Sequence, residues 1–107
     1  MTREEAIAAL HLLRLRIDDA DRRILQLISE RADIVSEIGR IKQQAGLPIY
    51  EPLRESQVFQ NVCANNPGPL DEGAIRRVFE RIIDEMRRVQ RLRMETEGRE
   101  ESKSAPH

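Results

Sequence analysis

Eleven positions follow one another at alternating steps of three and four: Leu10, Leu13, Ile17, Ala20, Ile24, Leu27, Arg31, Ile34, Ile38, Ile41 and Ala45. All but Arg31 are apolar. Such spacing predicts one long helix that buries a stripe against other helices. It runs from Arg3 or Glu4 to Gln44, near 60 Å at about 1.5 Å per residue. That is far longer than a compact monomer of this size needs, so the helix is expected to project beyond its own core. Gly46 and Pro48 end it. A second helix opens near Glu51 with Pro52 in its first turn, carries Leu53, Val58, Phe59, Val62 and Cys63, and stops at the breaker Asn65-Asn66-Pro67-Gly68-Pro69. A third takes Asp71 as its N-cap and continues to about Glu97, with Ile75, Phe79, Ile82, Ile83, Met86 and Val89 as its stripe. The reading is an all-α domain over residues 1–97, followed by a polar tail, 98–107, expected to lack structure.

Composition sharpens this picture. The chain has 107 residues, enough for one domain that buries only about two thirds of its unfolded surface, so a partner chain would help. Aromatics are 3% and tryptophan is absent, which leaves a core of Leu, Ile, Val and Ala as in a helix bundle. Eighteen Lys plus Arg against nineteen Asp plus Glu give no general attraction to nucleic acid or anionic membrane. The arginines of the third helix, Arg76, Arg77, Arg81, Arg87, Arg88, Arg91 and Arg93, alternate with Glu80, Asp84, Glu85, Glu95 and Glu97, which favours a solvated face with local pairs. No apolar run nears the roughly 18 residues of a membrane span, and no signal-peptide core follows Met1 to Glu5, so the expected location is cytoplasmic. Cys63 has no internal disulfide partner, and His11 and His107 are the sole histidines, so no zinc site is expected. Cys63 reads as helix packing.

Arg31 is the anomaly. A cation within a buried stripe must meet an anion, either a carboxylate of the protein or one of a bound molecule. Lys42 lies eleven residues on, close to three helical turns, pointing nearly the same way roughly 16 Å distant. Two long cationic side chains so placed leave room for a small dianion. Arg14 shares the heptad column of Lys42 but sits about 25 Å from Arg31 along the helix. It can join the same site only from an antiparallel second chain. Gln90 places a neutral amide on the row Phe79, Ile83, Met86, where a hydrophobe is expected. Taken singly, Glu51 and Glu55 read as helix-capping carboxylates and Arg54 as half of an exposed pair. Lys42 and Gln90, singly, read as surface or satisfied polar residues. Their joint occurrence with Arg31 points to a ligand site.

Leu13-Arg14, Asp21, Glu30-Arg31, Ile38-Gly39-Arg40-Ile41-Lys42, Pro48-Ile49-Tyr50-Glu51, Arg54-Glu55, Phe79, Ile82-Ile83 and Gln90 together resemble the all-helical chorismate mutases, over nearly the whole chain to about residue 92. The resemblance implies a homodimer with interlaced long first helices that converts chorismate to prephenate by a Claisen rearrangement, on the route to phenylalanine and tyrosine, without metal or cofactor. It implies that Arg31, with Arg14 of the second copy, holds the substrate carboxylates. Lys42 and Gln90 would donate to the ether oxygen and Glu55 would accept from the ring hydroxyl. Glu51, Arg54, Ile83 and Met86 would complete the wall. Met86 stands where the family often has a small hydroxyl residue, and Glu51 replaces a commoner aspartate. An isochorismate pyruvate lyase of the same fold is a second reading. A third is a non-catalytic dimerisation or regulatory module docked on another shikimate-pathway enzyme, which explains the seam but not Arg31, Lys42 and Gln90 together.

Overall fold

The computed structural model describes residues 1–104, with side chains through residue 100. Three helices and no strand occur among them: α1 Arg3–Ala45, α2 Pro52–Ala64 and α3 Glu72–Ser104. None is long and apolar enough to cross a membrane. The chain divides into two compact units, Met1–Asp33 and Ile34–His107.

The first unit is helical from Arg3 onward. Thr2 caps it, its Oγ1 accepting from the Glu5 amide at 3.1 Å, and Glu4 and Glu5 place carboxylates in the first turn, where the helix dipole favours them. Within the chain its seam is not covered: Leu13, Ile17, Ile24 and Leu27 are 49%, 56%, 54% and 64% exposed. The stripe expected to be buried continues uncovered through Ile34, Ile38 and Ile41. The face of α1 that the second unit does bury lies beside the seam, at Val35, Gly39 and Lys42. The 3-4 repeat identifies apolar positions, but it does not say which of two adjacent faces the same chain covers.

In the second unit α1 and α3 meet at a glycine. A Cβ on Gly39 would lie 3.1 Å from both the Cα and the carbonyl oxygen of Gln90, and 3.4 Å from Arg93 Cβ. A Cβ alone would require the neighbouring backbone to give by a few tenths of an ångström, and a long side chain would push one backbone off the other. Val35, Ile83 and Met86 form the buried apolar centre beside this crossing. The α1 C-terminus closes on Gly46, whose φ of +67° lets the Leu47 amide return to the Lys42 carbonyl at 2.9 Å. The chain thereby folds back toward the helix it has just left.

Asp71 caps α3 as expected, its Oδ1 accepting from the Ala74 amide at 2.7 Å. Replacing Asp71 by alanine should lower stability by about 1 kcal/mol, read as a fall in the thermal midpoint, with asparagine largely restoring it. α3 runs seven residues beyond the expected stop at Glu97, to Ser104. The polarity of residues 98–107 is what suggested an end there, and Gly98 itself costs about 1 kcal/mol relative to alanine in a helix interior. The Arg93–Glu97 pair at 2.9 Å spans the turn before it, and the residues that follow, Arg99, Glu100 and Glu101, are good helix formers. The expected unstructured tail is therefore helical over 98–104, and its remainder, 105–107, lies outside the described residues. The predicted local pairing along α3 is present in Arg76–Glu72 and Arg81–Glu85.

Candidate active site

Among the described residues Lys42 is the buried charge, with 6% of its surface exposed. Its ammonium donates to Gln90 Oε1 at 2.8 Å and to the Ile49 carbonyl at 3.1 Å, and Glu51 Oε1 lies 3.5 Å away. Three acceptors from three segments thus surround an ion that would be costly to bury alone. Each arrives for a local reason. The Gly46 reversal brings the connector, and with it the Ile49 carbonyl, back over the last turn of α1. Glu51 occupies the N-cap position of α2 but makes no side-chain cap bond, so its carboxylate is available to Lys42. The close approach at Gly39 holds Gln90 within reach. Because Gln90 Oε1 accepts from Lys42, its amide NH₂ is left as a second donor beside the ammonium.

One turn away stands a second cross-helix pair. Arg87 Nε donates to Glu55 Oε2 at 2.9 Å and Nη2 to Oε1 at 2.7 Å, a two-pronged contact. Arg87 Nη1 donates to Asp84 Oδ1 at 2.9 Å, and the guanidinium carbon lies 5.7 Å from the centre of the Tyr50 ring. The hydrogen bond to Glu55 raises the Arg87 pKa most, desolvation opposes it, and the charge of Glu55, then Asp84 and Tyr50, adds to the rise.

The structure therefore brings Lys42, Gln90 and Glu51 together, and places Glu55 one turn along α2 from Glu51. Glu51 makes no side-chain cap bond and instead faces Lys42, while Glu55, a carboxylate in the first turn of α2, also pairs with Arg87. Ile83 and Met86 are core residues, 6% and 5% exposed, on the α3 face that carries Gln90. Arg54 is exposed and lines an open groove of about 490 Å³ with Tyr50, Glu51, Pro52, Leu53 and Gln57. Arg14 is exposed and Arg31 half-buried, both within the Met1–Asp33 unit, and Arg31 is not without a partner. Among the described residues no group of three or more His, Cys, Asp or Glu is placed to hold a metal ion. Sequence reasoning missed Arg87, grouping it with the solvated arginines. The available signal was positional: Arg87 precedes Gln90 by three residues, as Glu55 follows Glu51 by four.

Comparison with known proteins gives this helical domain, with its buried ammonium–amide pair, a family. Residues 13–91 match the family model for chorismate mutase type II. A chorismate mutase of Methanocaldococcus jannaschii is 30% identical over 86 residues, covering 78% of this chain and 85% of that protein. A bifunctional chorismate mutase/prephenate dehydratase of Pseudomonas aeruginosa is 40% identical over 79 residues, 69% of this chain. The chain spans about a fifth of that longer relative, 22%. Among solved structures, form II of the chorismate mutase of Thermus thermophilus superposes with a TM-score of 0.76 at 37% identity, over 78% of this chain and 94% of that one. The chain belongs to the chorismate mutase type II family.

Proposed function

We propose that this protein catalyses the rearrangement of chorismate to prephenate, and that the Lys42–Gln90 pair carries the chemistry. The observation behind this reading is the 2.8 Å contact that fixes both side chains before substrate arrives. In the rearrangement the ether carbon–oxygen bond breaks while a carbon–carbon bond forms, and no proton is transferred. Negative charge grows on the ether oxygen as the bond lengthens. An ammonium and an amide NH₂ preset beside that oxygen bind it more tightly in the transition state than in the ground state. Glu55 accepts from the ring hydroxyl and Glu51 completes the wall beside Lys42. Neither role requires a metal or cofactor.

The substrate's two carboxylates must also be held so that the flexible arm folds over the ring. By family likeness we assign one to Arg31 and the other to Arg14 of a second copy, in a homodimer with interlaced first helices. The exposed seam, with Leu13, Ile17, Ile24 and Leu27 each about half or more uncovered, supports such a partner. Arginine forks suit paired carboxylates. This arrangement has a sharp test. Arg14→Ala and Arg31→Ala should each be nearly inactive alone, yet co-refolding them should restore about a quarter of parental activity, because each hybrid dimer regains one complete site. No recovery on mixing would place both arginines in one chain's site, or neither.

The primary experiment is to add chorismate to the purified protein and follow loss of its absorbance, identifying the product. Prephenate is expected. Release of pyruvate from isochorismate instead would assign the chain to the lyases of this fold, and silence toward both would leave a non-catalytic module, docked on another enzyme of the same route.

A further inference from the structure

Advancing four residues on α2 from Glu51 reaches Glu55, and retreating three on α3 from Gln90 reaches Arg87, so the two cross-helix pairs stack one turn apart. The Arg87 guanidinium is held on three sides. Both Glu55 oxygens accept from it at 2.9 and 2.7 Å, Asp84 accepts at 2.9 Å, and the Tyr50 ring covers it at 5.7 Å. With Arg87 fixed on α3 by Asp84, Glu55 cannot change rotamer without breaking two charge-assisted hydrogen bonds. A carboxylate offers about four acceptor positions, of which this fork takes two. The other two remain, with their direction set by the protein rather than by the three free torsions of a glutamate.

We infer that Arg87 is a positioning residue that orients the Glu55 carboxylate to receive the ring hydroxyl of chorismate. This rests on the reading of Glu55 given under Proposed function. The geometry fits orientation better than simple stapling of α2 to α3. A staple needs one cross-helix contact, whereas here the guanidinium is itself immobilised by Asp84 on its own helix and by the Tyr50 ring.

The test compares kcat/KM for chorismate and for an analogue lacking the ring hydroxyl, in the parent, Glu55→Ala, Arg87→Gln and Arg87→Lys, with circular dichroism of each. The parent should prefer chorismate, and the preference should fall at least about tenfold in Glu55→Ala and in Arg87→Gln, as for loss of a hydrogen bond to a charged group. Arg87→Lys should recover part of it, since an ammonium engages one oxygen rather than two. If Arg87→Gln lowers both substrates equally while Glu55→Ala abolishes the preference, Arg87 is only a staple and the inference is overturned, with the role of Glu55 intact. If Glu55→Ala leaves the preference unchanged, the role of Glu55 and this inference fall together. Should Arg87→Gln not fold, Arg87→Lys decides: a preference below the parental value supports orientation, and an unchanged one overturns it.

Discussion

On the proposed mechanism, alanine at Lys42 should remove at least about two orders of magnitude of chorismate turnover, the usual loss when one preset donor to a developing oxyanion is deleted. The helical circular dichroism is expected to survive. Of the three acceptors around the ammonium, Glu51 is 45% exposed at its side chain and can turn to water, and the Ile49 carbonyl lies on an irregular connector. Gln90 loses its partner but keeps an amide able to satisfy itself locally. A lowered thermal midpoint with retained helix content is therefore the expected companion of lost activity. Near-parental turnover in a folded Lys42→Ala protein would mean that another group stabilises the ether oxygen.

Leucine at Gly39 is the second large effect, and it reaches the site without touching substrate. The neighbour it meets is not a flexible side-chain tip but the Gln90 backbone, 3.1 Å from where the new Cβ would stand. Helix propensity favours leucine over glycine by up to about 1 kcal/mol, but overpacking a close crossing costs about 1–3 kcal/mol. The backbones should separate, and Gln90 should leave Lys42 with them. We expect at least a tenfold fall in kcat, on the order of one lost hydrogen bond to a charged group, together with a lower thermal midpoint. Alanine needs only a small local adjustment and should retain most activity. A Gly39→Leu protein with parental kcat would show that the crossing does not hold the donor pair together.

The helices and their caps were legible because they rest on local rules. Gly46 and Pro48 ended α1, Pro52 opened α2 and Asp71 capped α3, each acting within a few residues of itself. The Lys42–Gln90 association, 48 residues apart in sequence, was suggested only by two polar groups on otherwise apolar rows. That signal is strong for a residue facing inward and absent for one on a charged face. Arg87 stood among the many other arginines of α3, with acids close to them in sequence. Composition cannot say which of them reaches across to α2. The end of α3 differs for a related reason: a polar composition does not by itself exclude a helix, and here the Arg93–Glu97 pair holds the turn before Gly98. The seam along α1 was read correctly as apolar, yet within one chain the neighbouring face is the covered one.

Lys42 is engaged at both of its ends. Its carbonyl receives the Leu47 amide in closing α1, while its ammonium grips the Ile49 carbonyl two residues farther on. Helix termini are ordinarily the first stretches to fray. Here unwinding the final turn would scatter the cation to which the proposed chemistry is assigned, so on that reading terminal order and catalytic competence are gained or lost as one.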